Sequence, residues 1–108
     1  MRSTRCVLAL GGVALILAAP PSQAATLQVT IEKLSFEPAE INAAAGDTIQ
    51  WINKDAMAHT ATADGVFDVV IQPHNSASLV LKSAGALNYY CRFHPNMRAH
   101  IIVPAAGQ

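Results

Sequence analysis

A chain of 108 residues has room for one domain. Its seven Lys and Arg balance seven Asp and Glu, and the charges are scattered along the chain. With no basic stripe and no basic amphipathic helix, the pattern argues against nucleic-acid binding and against a membrane-surface role.

The chain opens as a secretory signal peptide. Arg2 and Arg5 precede the apolar run from Val7 to Ala19, and small residues follow up to Ala24. The run is about 13 residues long, short of the ~20 that a membrane-spanning helix needs, so membrane insertion is not expected. Cys6 lies before the run, where a lipoprotein cysteine would lie after it. The expected organisation is a signal peptide over 1–24, cleaved after Ala24, and a periplasmic domain over 25–108. Cleavage takes Arg2, Arg5 and Cys6 with it, leaving a net charge near −2 and one thiol, Cys91. A lone thiol in an oxidising compartment must pair with another chain, be oxidised, or be held by a metal.

The remainder reads as short strands. Leu27, Val29 and Ile31 alternate with Gln28, Thr30 and Glu32, the period of a half-buried strand. The phase slips near Lys33, where a bend or bulge is expected to bring Leu34 and Phe36 inward. A short edge segment after Pro38, a turn at Gly46-Asp47 and a strand over 48–52 come next. Further strands are expected in "VFDVVI", "ASLVLK", "LNYYC" and "HIIVP", with turns at Pro73-Asn75 and Gly85. Trp51 and Tyr89 are expected in the core and Tyr90 on the opposite face from Tyr89. No apolar 3.6-residue period persists long enough for a helix. The fold class is all-β, a sandwich or barrel of about seven to eight strands.

The chemistry concentrates in "YYCRFHPNMRAH", residues 89–100. Cys91, His94 and Met97 are spaced three apart at the end of a strand, so one tight loop can wrap all three around an ion. A thiolate, an imidazole and a thioether are soft or borderline donors, which suit copper better than calcium or magnesium. Two His and one Cys with a weak axial Met form the electron-transfer copper pattern. The second His must come from elsewhere. His59, where a polar loop meets a strand, is the best placed, with His74 and His100 as the alternatives. Taken singly, Cys91 and Met97 could be core filler and His94 a surface residue; the shared spacing sets them apart.

"AGDTIQWINKDAMAHTAT" followed about 30 residues later by "YYCRFHPNMRAHIIV" resembles the cupredoxins, small blue-copper proteins, most closely their amicyanin- and plastocyanin-like members. The resemblance spans Thr26 to Val103. It implies a Greek-key β-sandwich with one copper at one end, bound by His59, Cys91 and His94 with Met97 as the axial ligand. It further implies that the Thr60 N–H donates to the Cys91 sulfur and that its hydroxyl ties the strand to the loop. Phe93 stands where the family often has Pro, so its N–H offers the sulfur a second donor. An apolar patch of Met57, Ala58, Phe93 and Pro95 around His94 would receive partners. These would be redox proteins: a dehydrogenase or cytochrome as donor, and a cytochrome or oxidase as acceptor.

The function expected is that of a monomeric one-electron carrier with no catalytic residues, not an enzyme. The alternative is a periplasmic protein for copper delivery or storage, which would share the ligands but exchange its metal readily. Nucleophilic catalysis by a Cys-His pair has less support, since no orienting Asp motif accompanies it and Met97 would have no role.

Overall fold

A computed structural model describes residues 23–82 and 84–105, and every regular element among them is a strand. In chain order these are β1 (Thr26–Ile31), β2 (Phe36–Glu37), β3 (Glu40–Asn42), β4 (Thr48–Asn53), β5 (His59–Ala63), β6 (Phe67–Ile71), β7 (Ser76–Val80), β8 (Gly85–Cys91) and β9 (His94–Val103). The count exceeds the expected seven to eight because the short β2 and β3 pair as strands of their own. The expected signal segment over 1–24 lies outside the described residues as far as position 22.

Two sheets pack face to face, one ordered β2-β1-β4-β7 and the other β3-β9-β8-β5-β6. β1 and β4 run parallel, as do β3 and β9, while the other pairs are antiparallel. Parallel neighbours require a crossover connection, which gives the Greek-key sandwich its winding. Period-two patterning sets which face is buried. In β4, Ile49, Trp51 and Asn53 are buried while Thr48, Gln50 and Ile52 are only partly covered. β5 is the exception, with all five residues buried. It lies between β8 and β6 in its sheet, and its Thr60 and Thr62 hydroxyls bond each other, the Arg92 N–H and the Asp68 carboxylate of β6.

The core holds Trp51 and Tyr89 edge to face with centroids 5.6 Å apart, and Phe36 against Tyr89 at 4.8 Å. The Trp51 indole N–H donates to the Tyr89 hydroxyl at 3.1 Å. That bond gives two buried polar atoms a partner. Burial pushes the Tyr89 pKa up to about 12, against a smaller opposing effect of the Trp51 bond.

The phase slip at Lys33 is real, but its outcome differs from the expectation. Phe36 is buried, whereas Leu34 points outward, 46% exposed. Lys33 and Leu34 both adopt left-handed backbone, with φ of 55° and 61°. Each such residue costs about 1–2 kcal/mol. The Asp55 carboxylate offsets this by accepting the N–H of Lys33 at 2.8 Å and of Leu34 at 3.2 Å. A two-residue reversal replaces the expected bulge, and it turns Leu34 away from the core.

Candidate metal centre

Four strand ends meet at one pole of the sandwich. β4 ends there at Asn53, β5 starts at His59, β8 ends at Cys91 and β9 starts at His94. The segment leading to His59 is fastened by Asn53, whose side-chain amide donates to the Met57 carbonyl at 2.8 Å and the Ile71 carbonyl at 3.2 Å. Its side-chain oxygen accepts the Asp55 N–H at 2.9 Å. Asn53 is 1% exposed, so these bonds replace water it cannot reach.

His59, Cys91 and His94 present one ligand atom each, all within 4.8 Å of one another. Both His Nδ1 atoms lie 3.8 Å from the Cys91 Sγ. A metal about 2.0 Å from nitrogen and about 2.3 Å from sulfur, at trigonal angles, would hold each N and S about 3.7 Å apart. The residues therefore fit a three-coordinate N₂S site. Such a set excludes calcium and magnesium. Zinc also takes N and S donors but prefers four strong ligands in a tetrahedron, so copper is the metal this geometry fits best.

His59 and Cys91 are fully buried and His94 is partly exposed. The His59 ring is held from behind, since its Nε2 lies 2.8 Å from the Asp55 Oδ2. A carboxylate only accepts, so it selects the tautomer with hydrogen on Nε2 and leaves the Nδ1 lone pair facing the sulfur. Burial alone would raise the Asp55 pKa, but the Lys33 N–H, His59 and the Leu34 N–H together hold it below the usual carboxylate range. On the sulfur side, the Thr60 N–H donates to Sγ at 3.3 Å and the Thr60 hydroxyl accepts the Arg92 N–H at 2.8 Å. Among the described residues this is the one backbone N–H bonded to the sulfur, so the second donor expected at Phe93 is not made.

Met97 is 4% exposed and shares with His94 the lining of a depression of about 570 Å³. Leu34, Phe93, Pro95 and Asn96 complete that lining. Met57, Leu34 and Phe93 are 47%, 46% and 50% exposed. His74 and His100 stay out of the cluster. His74 sits exposed in its turn with φ 56°, and the His100 ring bonds the Asn88 side chain on the outer sheet face. The residue sequence reasoning missed is Asp55. Its place four residues before His59 in "DAMAH" is too common a spacing to have singled it out.

A β-sandwich with a buried N₂S cluster where its strand ends meet defines a small metalloprotein of the blue-copper type. The Cupredoxin-like domain family matches residues 6–103, and the chain belongs to that family. Amicyanin of Paracoccus denitrificans is 33% identical over 82 residues, which cover 69% of this chain and 63% of that protein. Amicyanin-alpha of Methylorubrum extorquens is 28% identical over 108 residues, covering 94% and 88%. Among solved structures, the reduced state of an amicyanin mutant superposes with a TM-score of 0.65 at 33% identity, covering 72% of this chain and 81% of that one. A Cu(I) form of another amicyanin mutant gives 0.67 at 30%, with the same coverage.

Proposed function

We propose that this protein is a one-electron carrier of the periplasm that holds a single copper through His59, Cys91 and His94, with Met97 as the weak axial ligand. The observation that carries the reading is the N₂S cluster itself, built on the ends of rigid strands with His59 and Cys91 sealed from water. The bound ion would supply the one-electron couple. The chain's own residues keep the donors in place: Asp55 orients His59, and Thr60 supports the thiolate and ties down its loop. A site held this way needs little rearrangement when an electron arrives. It also favours retention of the metal over delivery.

Electrons would pass at His94, the partly exposed ligand. Leu34, Phe93 and Pro95 line the depression beside His94, and with exposed Met57 they would form an apolar patch for partners; brief redox encounters need only small interfaces. Leu34 joins the patch because of the left-handed turn. The partners in this reading are a dehydrogenase or cytochrome on one side and a cytochrome or oxidase on the other.

The domain would begin at Ala25 after removal of residues 1–24. The Ala25 nitrogen lies 2.9 Å from the Asp47 Oδ1, and its carbonyl accepts the Thr48 N–H at 2.9 Å. A new terminal ammonium there would meet a carboxylate already in position.

The test is to add Cu(II) to protein starting at Ala25 and record visible and paramagnetic resonance spectra before and after ascorbate. An intense blue band with narrow copper hyperfine splitting, bleached reversibly, is the expected result. A pale, ordinary copper signal would show that Cys91 is not a bound thiolate.

A further inference from the structure

On the outer face of β5, away from the cluster, lies a closed circuit of hydrogen bonds. The Arg92 N–H donates to the Thr60 Oγ1 at 2.8 Å, and the Thr60 and Thr62 Oγ1 atoms are 2.9 Å apart. The Thr62 hydroxyl donates to the Asp68 Oδ1 at 2.7 Å, and the Arg92 Nε donates to that same oxygen at 3.0 Å. Thr62 and Asp68 are direct cross-strand partners in the β5–β6 register.

Donor counting fixes the direction of this circuit. A backbone N–H can only donate and an ionised carboxylate can only accept. The hydroxyl of Thr62 is committed to Asp68, so the Thr60 hydroxyl must donate to Thr62 and accept from Arg92. One arrangement of protons satisfies every member. The two hydroxyls are buried, Thr60 at 0% and Thr62 at 5%, so water cannot substitute, and losing one link leaves the next without a partner. The Asp68–Arg92 end is exposed.

We propose that Thr62, Asp68 and the Arg92 side chain are positioning residues for the copper site, acting through Thr60. The circuit fixes the peptide after Cys91 against β5. It thereby holds the Thr60 N–H on the sulfur from one side and the Cys91–Arg92 peptide from the other. An N–H bond to the sulfur favours its electron-rich form and raises the reduction potential. A surface ion pair several bonds from the metal thus contributes to the electron affinity of the site. This inference rests on the reading that Cys91 binds copper.

Thr62→Val tests it, because it removes the central link while keeping shape and charge. Amide hydrogen exchange at Thr60 and Arg92 should quicken about tenfold in both the metal-free and the Cu(I) protein. The reduction potential should fall and the blue band should shift. Thr62→Ser should restore all three. Asp68→Ala, at an exposed position, should quicken exchange at the same two amides, although it touches neither. Unchanged exchange in both Thr62→Val and Asp68→Ala would overturn the circuit. A blue wild-type protein whose potential does not move in Thr62→Val would overturn its role at the metal. Failure of the wild-type protein to form an intense blue band would instead overturn the copper reading itself.

Discussion

Replacing Asp55 by Ala removes the acceptor behind the His59 ring. The His59 Nε2, 2.8 Å from the Asp55 Oδ2, belongs to a side chain with no exposed surface. Without metal, the ring can relieve an unpaired N–H by moving its hydrogen to Nδ1 or by rotating. With copper on Nδ1 neither escape is open, so the cost of a buried, unpartnered N–H, about 1–3 kcal/mol, falls on the metal-bound state. The affinity should therefore drop about ten- to a hundredfold, the range seen when a ligand's outer partner is lost. Asp55→Asn is the control. Its one acceptor oxygen can keep both His59 and the Leu34 N–H, which share Oδ2, and give up only the Lys33 bond to Oδ1. Its affinity should stay within a few-fold of wild type. Competition for Cu(I) against a chromophoric chelator measures both variants. Folded Asp55→Ala with wild-type affinity would refute the reasoning.

Tyr89 makes the protein sensitive to alkali. Its pKa is pushed up from 10.0 to about 12 in the folded state, so the neutral form stabilises the fold fully below pH 10. That contribution, roughly 3 kcal/mol, is lost as pH rises from 10 through 12, which denaturant titration across that window would show. Tyr89→Phe should abolish this window and, by orphaning the Trp51 indole N–H, lower stability near neutral pH by about 1–3 kcal/mol. Phe93→Lys should leave the copper spectrum intact but slow electron self-exchange, measured by NMR line broadening, at least about tenfold, since two like charges would meet across the docking patch. Copper at a hundred times its dissociation constant should stabilise the fold by about 2.7 kcal/mol, a rise in Tm of about 10–20 °C for a domain of this size. An unchanged Tm would mean that the metal does not bind the folded state.

Much of the site was legible because it is encoded locally. Cys91 and His94 flank one two-residue turn, which brings them together, and the same three-residue spacing is what marks Met97 as the proposed axial ligand. His59 was harder. Its partner loop is more than 30 residues away, so the sequence could rank it above His74 and His100 only by its place at a strand end. Asp55 carries no such mark, because a carboxylate four residues before a His is common on any polar loop. Leu34 was misread for a related reason. Alternation predicts inward residues while the strand stays extended, but the carboxylate of Asp55 pays the conformational cost of a left-handed turn, and no pattern around Lys33 announces that.

By itself, then, the sequence determined what is short in range: the period-two strands, the breaks between them, and a donor loop whose chemistry selects copper. Tertiary structure alone decided what depends on residues far apart in the chain. It closed the N₂S cluster across three strands of one sheet, β5, β8 and β9, set Asp55 behind His59, turned Leu34 outward, and joined Thr60, Thr62, Asp68 and Arg92 in one circuit. Hydrogen bonds are directional and act over about 3 Å. Which polar atoms come that close is fixed by strand register, and register follows from how the two sheets bury their apolar faces together.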